Sequence, residues 1–426
     1  MDRMTARPAL RTAEIIAVGS ELLGSTRLDT NSLFLSDRLA ALGIELRAKA
    51  VVGDSREHLA AMFSQALARV DLVVLTGGLG PTADDLTRDV IAEGLGLDLL
   101  EDPAILERLE QRFASRGMRM PAINRTQAMV PRGAVALDNP NGTAPGLFID
   151  AGNKVVILLP GPPREMQPMV EALSRGALLA RASDERVHRV ALFLTGRGES
   201  HVEEISQPLY APWALETPPI ETTILASPGQ VELHLSLRSK DAEAAMARLT
   251  AARDTLAAAL GSAVYSTDGT PLEQVVGQLL QARHLTIAAA ESCTGGLLMS
   301  RLTDVAGSSA YVLAGVVAYS NEAKATLADV DPALIAAHGA VSEPVAVALA
   351  DGVRARVGSS IGVGITGIAG PGGGSPQKPV GTVVIAVSSA DGARVRTFSF
   401  VGPRAQIKFW ATQAALDLVR RALTKA

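Results

Sequence analysis

Two short runs in the last third of the chain bring together the groups that hydrolytic chemistry uses. Ala290-Glu291-Ser292-Cys293-Thr294-Gly295-Gly296 lies between an apolar stretch and a helical one. A hydroxyl on such a turn can act as a nucleophile. Free N–H groups near a helix start can hold the oxyanion that its attack creates. A serine is inert without a base. The six histidines (58, 188, 201, 234, 284 and 338) are scattered singly and form neither a triad motif nor a metal pair at helical spacing. The second run, Tyr319-Ser320-Asn321-Glu322-Ala323-Lys324, offers another base. A lysine desolvated behind a buried strand has a lowered pKa and can accept a proton. On chemistry alone, alternatives stand beside this dyad. Ser292 could cap a helix. Cys293 could be the nucleophile, or a small core filler. Lys324 could be a solvated helix residue.

A glycine loop follows a strand at Gly367-Ile368-Ala369-Gly370-Pro371-Gly372-Gly373-Gly374-Ser375. It lacks the Gly-Lys-Ser/Thr of a phosphate-binding P-loop. What remains is a loop that binds one phosphate through its N–H groups, or a surface Ω-loop. Near the other end, Thr76-Gly77-Gly78-Leu79-Gly80-Pro81-Thr82-Ala83-Asp84-Asp85 closes a buried strand. Glycines at the carboxyl end of a parallel strand let the backbone approach an anion. Asp84 and Asp85 are hard oxygen donors suited to magnesium. The plainer alternative is a glycine turn with a carboxylate-capped helix.

These runs need sheets to carry them, and the sequence supplies alternating strand and helix patterns at both ends. Strand-like runs at 13–23, 45–54, 71–80 and 154–166 (the last turning into a loop and helix start) alternate with helical runs at 31–44 and 55–70, the latter capped by Ser55. This β–α–β order predicts a parallel sheet covered on both faces. After about residue 175, strands at 189–196 and 222–239 and an Ala-rich helix at 241–260 predict a small α+β module. The last part predicts strands at 285–296, 310–320, 360–370 and 381–389, with helices at 296–304, 321–328 and 343–357. The fold class is therefore α/β, with domains expected over 1–175, 176–262 and 265–426.

Composition narrows the class. With 40 basic and 44 acidic residues, the net charge of -4 gives no sign of a direct nucleic-acid binder. Cys293 is the only cysteine, so no intrachain disulfide can form. That absence, with no signal-peptide or membrane-spanning pattern, leads us to expect a cytoplasmic protein without membrane contact.

The chain resembles the CinA (competence/damage-inducible protein A) family. Its first domain is similar to the MoaB/MogA-like molybdopterin-binding fold, on the TGG-x-G run with Gly53-Asp54, Asp29 to Ser32, Asn141 to Gly146 and Leu159 to Pro163. The middle segment resembles a small KH-like module, but its Gly196-Arg197-Gly198-Glu199 run is not the G-x-x-G of RNA-binding KH domains, and an interaction or dimer-forming role is expected. The last domain is identified as similar to nicotinamide-nucleotide amidohydrolases on AESCTGG, AGSSAY, YSNEAK, HGAVSEPV, TGIAGPGGGS and KPVGTV, all in family order.

That resemblance implies catalytic roles for Ser292, Lys324 and Tyr319. It also implies substrate contacts from Thr294, Gly295, Gly296, Thr366, Gly367, Gly370 and Arg404, with the oxyanion held near Thr294–Gly296. The expected reaction is hydrolysis of nicotinamide mononucleotide to nicotinate mononucleotide and ammonia, with no cofactor. For the first domain the resemblance implies ADP-ribose pyrophosphate cleavage. The nucleotide would meet Asn31, Gly77, Gly78, Gly80 and Thr82. Asp54, Asp84 and Asp85 would hold a divalent metal, magnesium or cobalt, with potassium as a companion. A homodimer is expected. The rival reading is a non-catalytic scaffold associated with competence or DNA damage; neither AESCTGG nor YSNEAK is degenerate, which weighs against it.

Overall fold

Strand-forming runs rich in Val, Ile and Leu alternate with helical ones, and the chain folds accordingly into layered αβ units. The computed structural model describes residues 8–424. It forms two compact units. One runs through Val187 and includes Arg238–Ala242; the other comprises His188–Leu237 and Glu243 onward.

The first unit is built on a six-stranded sheet in the order Glu45–Val52, Thr12–Val18, Leu72–Thr76, Val155–Leu159, Gly146–Asp150, Val135–Leu137. Side chains of a strand point alternately to its two faces. Accordingly Ile16, Val73, Leu75, Val156 and Leu158 enter one apolar cluster, while Ile15, Leu72, Val74, Val155 and Ile157 enter another. Both faces are therefore covered, as the continuous apolar runs predict. The sheet is not wholly parallel, however. The first four strands are parallel and the last two antiparallel. The link from Asp150 to Val155 is too short for a crossover, so it makes a hairpin. The expected strand over 13–23 ends at Val18, and Ser20–Leu23 is a 3-10 turn. Ser55 does cap its helix, accepting from the His58 N–H.

In the second unit, the expected run 222–239 is two strands, Ile220–Ser227 and Gln230–Ser239, in an antiparallel hairpin turned at Pro228-Gly229. They belong to a four-stranded sheet. Helix Ala242–Leu260 places Leu249, Leu256 and Leu260 in the same cluster as its Leu192, Leu194, Leu233 and Leu235. The second sheet of this unit runs Val312–Val317, Ile287–Glu291, Ile361–Gly367, Thr382–Ser389, Gly392–Ser399. Its first three strands are parallel and its last two antiparallel. The edge strand Gly392–Ser399 and the final helix Arg404–Thr424 were not expected from the sequence. No helix among the described residues is long and apolar enough to cross a membrane.

The two faces of this sheet differ in bulk. Ile287, Ile361, Val363 and Ile365 fill the large cluster, where Ile407, Ala411, Ala415 and Val419 of the final helix join them. The opposite face is Ala288, Ala290, Gly362 and Gly364. These small residues let helix Glu343–Val357 lie almost on the backbone of the strand. A Cβ on Gly364 would stand 2.2 Å from the Ala346 carbonyl oxygen, and one on Gly362 would stand 2.1 Å from that of Ala350. Overpacking a well-filled interface of this kind costs about 1–3 kcal/mol. Gly364→Ala is therefore expected to lower the urea midpoint by an equivalent amount. A midpoint equal to that of the parent would show that the helix yields without cost.

Candidate active site

The ends of three adjacent parallel strands collect the chemistry in the second unit. Ile287–Glu291 runs into the Ser292 turn, Val312–Val317 into Tyr319 and the helix Asn321–Ala328, and Ile361–Gly367 into the glycine loop. Ligand crevices form at the carboxyl ends of strands in open αβ sheets. Lys324 is 2% exposed. Its Nζ lies 3.2 Å from Ser292 Oγ and donates to the carbonyls of Ala318 at 3.1 Å and Tyr319 at 3.0 Å. Burial lowers its pKa; the Cys293 thiol and Glu322 carboxyl act the other way. No salt bridge to Lys324 is found among the described residues. A neutral amine has two N–H bonds and one lone pair. The two nearer carbonyls can take the N–H bonds, that of Ser320 at 3.5 Å being the weakest contact, which leaves the lone pair facing the serine hydroxyl. Lys324 is thus not the solvated helix residue that the sequence left open.

Ser292 is not a helix cap either. The N–H groups at the start of helix Leu297–Thr303 are taken by Glu291, whose buried carboxylate accepts from Gly296 at 3.0 Å, Leu298 at 3.1 Å and Met299 at 2.9 Å. This corrects the expected oxyanion hole. The Gly296 N–H points to Glu291, and that of Gly295 to the Ser292 carbonyl. The Ser292 N–H is bonded to Ile365. Of the turn's backbone donors, those of Cys293 and Thr294 remain. The Thr294 hydroxyl is also buried without a partner. Burial pushes the Cys293 thiol up to about 12, so the thiol stays protonated near neutral pH and is a poor nucleophile. The sulfur packs in the core instead.

At the mouth, Arg404 donates to the Tyr319 hydroxyl at 2.9 Å and to the Gly370 carbonyl at 2.8 Å. It ties the tyrosine to the glycine loop. Thr366 donates to the Ala340 carbonyl, so its hydroxyl braces a neighbouring turn. Gly367 ends its strand, paired with Val383. Lys408, one helical turn beyond Arg404, was missed by the sequence reading. Its Nζ lies 3.5 Å from the place of a Cβ on Gly295. The i, i+4 spacing of Arg404 and Lys408 was the available signal.

The first unit holds a cavity of about 370 Å³ beside the Gly77–Gly80 turn. Glu21, Asp54, Asp84, Asp85 and Glu165 line it, with no lysine, arginine or histidine in its wall. Gly77, Gly78 and Gly80 line it as expected; Asn31 and Thr82 do not. Asn31 instead donates to the Gly161 carbonyl, and Thr82 donates to Asp85. Asp85 therefore braces its own loop, and Asp54 accepts from the Ser20 N–H. Among the described residues no three His, Cys, Asp or Glu side chains converge as a preformed metal cluster. The donor set still fits a hard divalent ion of the magnesium type, which uses one or two carboxylates and completes its shell with water and phosphate. Glu21 and Gln127 were not singled out from the sequence, because each lies in a separate segment without a motif, and Arg164-Glu165 lacks the second acidic pair of a Nudix box.

Both units have counterparts among known proteins. Residues 14–180 match the model of a probable molybdopterin binding domain, and residues 269–423 match that of the CinA C-terminal domain. A CinA-like protein from Koribacter versatilis is 48% identical over 415 residues, covering 96% of this chain and 99% of its own. One from Acidobacterium capsulatum is 45% identical over 419 residues, covering 96% and 99%. The chain belongs to the CinA family. A solved CinA protein of unknown function from Thermoplasma acidophilum is 35% identical, covers 39% of this chain and 97% of its own, and has a TM-score of 0.37. The CinA C-terminal match contains Ser292, Tyr319, Lys324, Thr366 and Arg404, and the MoaB/MogA-like match contains the acidic cavity.

Glu291 is the CinA residue whose part was hidden in the motif. Its carboxylate serves three backbone donors at once. Glu291→Gln keeps the shape but turns an N–H₂ group toward some of them. Hydrogen bonds to a charged group are each worth about 1.5–3 kcal/mol. The substitution is expected to lower unfolding stability by about 2 kcal/mol or more in a denaturant titration. Unchanged stability would mean that the turn does not depend on the carboxylate.

Proposed function

We propose that the C-terminal part of the second unit is an amidohydrolase acting on nicotinamide mononucleotide, releasing nicotinate mononucleotide and ammonia. The observation that carries this reading is the buried Lys324 amine set 3.2 Å from the Ser292 hydroxyl without a carboxylate to hold its charge. Ser292 Oγ attacks the carboxamide carbon while Lys324 takes the hydroxyl proton. The tetrahedral oxyanion faces the free N–H groups of Cys293 and Thr294. Lys324 then passes a proton to the departing nitrogen, ammonia leaves, and water attacks the acyl-serine with Lys324 again as base. Arg404 and Lys408 offer positive charge at the mouth for the substrate's phosphate. A scaffold without catalysis would not need a buried amine held without a salt bridge, which is costly to fold in its charged form.

Ser292→Ala is expected to abolish ammonia release from nicotinamide mononucleotide, while Cys293→Ala retains most of it. The opposite pattern would assign the nucleophile to the thiol. Lys324→Arg keeps the charge but cannot deprotonate, and turnover is expected to fall by about 10² or more. The base must be neutral to work, so kcat/KM is expected to rise with pH through a pKa below the ordinary lysine value of 10.5. A kcat/KM that falls rather than rises with pH on the alkaline approach to the plateau, or that shows no acid limb at all, would count against Lys324 as the base.

For the first unit we propose metal-dependent cleavage of the ADP-ribose pyrophosphate. The supporting observation is the acidic cavity with no basic side chain in its wall. Such a wall repels a bare pyrophosphate, and a divalent ion would supply the missing positive charge. Asp84 lines the cavity, and a hydrogen bond from Thr82 favours its ionised carboxylate, the form that binds a cation. In the full chain, Asp84→Asn is expected to lose ADP-ribose hydrolysis and keep deamidation. A chelator should have the same selective effect. Deamidation that stops with chelator would refute the separation.

A further inference from the structure

A second cavity in the second unit, of about 760 Å³, lies away from Ser292 and is assigned no role by the activities proposed above. Its size is that of a small-molecule site. Three aromatic rings form one wall. Phe398 and Phe400 stack at 5.5 Å with planes 10° apart, and Trp410 stands 5.9 Å from Phe400. Strand alternation puts Arg396 on the same side as Phe398, and its guanidinium lies over that ring at 5.2 Å.

The charged residues do not cancel. Asp417 is spent on Arg420 and Arg421. Arg197 and Arg396 are in no ion pair found among the described residues, and face only Glu199. Arg197 sits in the Gly196-Arg197-Gly198 turn, which also lines the cavity, where the helix Glu199–Tyr210 begins with no side-chain cap. Gln413, 3% exposed, also lines the cavity. Its Oε1 accepts from Arg301 at 2.7 Å, but its Nε2 has no partner. That donor is shielded from the cavity as it is from solvent, because the amide is turned toward Arg301, so a ligand meets the aromatic wall and the arginines instead.

We infer that this cavity binds a planar heterocycle bearing a phosphate, of the mononucleotide class. The ring lies against Phe400 and Trp410, and the phosphate meets Arg197. Base–aromatic stacking and an arginine–phosphate contact are the two interactions that such a wall and such a turn provide. A free mononucleotide is favoured over a nucleic-acid strand because the cavity is of small-molecule size and the net charge of -4 gives no sign of a polyanion binder.

The chain has two tryptophans, so Trp213→Phe leaves Trp410 as the single reporter. In that background, adenosine monophosphate is titrated against tryptophan fluorescence, with adenosine, inorganic phosphate and a single-stranded adenylate octamer as comparators. Adenosine monophosphate is expected to give a saturable change with half-saturation below about 1 mM, and adenosine and phosphate separately to bind more weakly. Arg197→Glu, an exposed substitution remote from Ser292, is expected to weaken binding at least about tenfold, with the thermal midpoint kept. No saturable change with adenosine monophosphate overturns the inference. So does binding that is indifferent to Arg197→Glu, which would place the nucleotide elsewhere. An octamer that binds far more tightly than the mononucleotide overturns it in favour of a nucleic-acid strand.

Discussion

The burial of one amine is the constraint around which the second unit is arranged. A lysine ammonium in an apolar interior is expensive unless it is paired or loses its proton. Here the fold gives Lys324 no carboxylate. It gives carbonyl oxygens from the chain leaving strand Val312–Val317, and the hydroxyl of Ser292. Those carbonyls are available because the strand has ended and the helix Asn321–Ala328 has only begun, capped by Ser320. The unpaired backbone at that junction is what lets an amine be solvated by protein without being neutralised.

The same economy of backbone groups holds the nucleophile. Ser292 sits on a turn pinned at its ends, by the Ser292 and Gly295 N–H bonds and by the Glu291 carboxylate, which takes the N–H groups of Gly296, Leu298 and Met299 where the turn runs into the helix. A turn so braced cannot rearrange to meet a substrate, which suits a reaction that depends on placing one oxygen. The small residues behind it serve the same end. Ala288, Ala290, Gly362 and Gly364 bring helix Glu343–Val357 against the strands that carry Ser292 and Thr366, fixing the strand ends relative to one another. Fine positioning at the site therefore rests on close packing in the adjacent helical layer.

How much of this was legible differed by kind of signal. The buried strands of both units were readable because continuous Val, Ile and Ala runs admit few other structures. The Ser292 and Lys324 pair was readable as residue types in two runs, but not as a contact. That depends on two strands being neighbours, which no periodicity states. Arg404 was reached only through a loose block, and its bonds to Tyr319 and Gly370 come from a helix that the sequence reading passed over. The apolar spacing Ile407, Ala411, Ala415, Val419 marked that helix, so the signal was present and unused. The oxyanion donors were misplaced for a different reason. Which N–H groups are free depends on where the Glu291 carboxylate turns, and a motif does not record a rotamer. The same holds for Asp85, which reads as a metal ligand and turns inward to Thr82.

The two glycine turns that look alike in sequence are opposite in electrostatics. Gly77–Gly80 opens on a cavity walled by carboxylates, whereas Gly295 and Gly370 lie beside Lys408 and Arg404. A phosphate-bearing ligand would meet repulsion at the first and attraction at the second. The backbone can be equally permissive in both, because glycine only removes an obstacle and contributes no charge. What separates a turn that needs a cation from one that already supplies it is the set of side chains brought in from distant segments: Glu21 and Glu165 in one case, Arg404 and Lys408 in the other. Chemistry in this protein is therefore decided less by its glycine motifs than by the ionic groups the fold delivers to them.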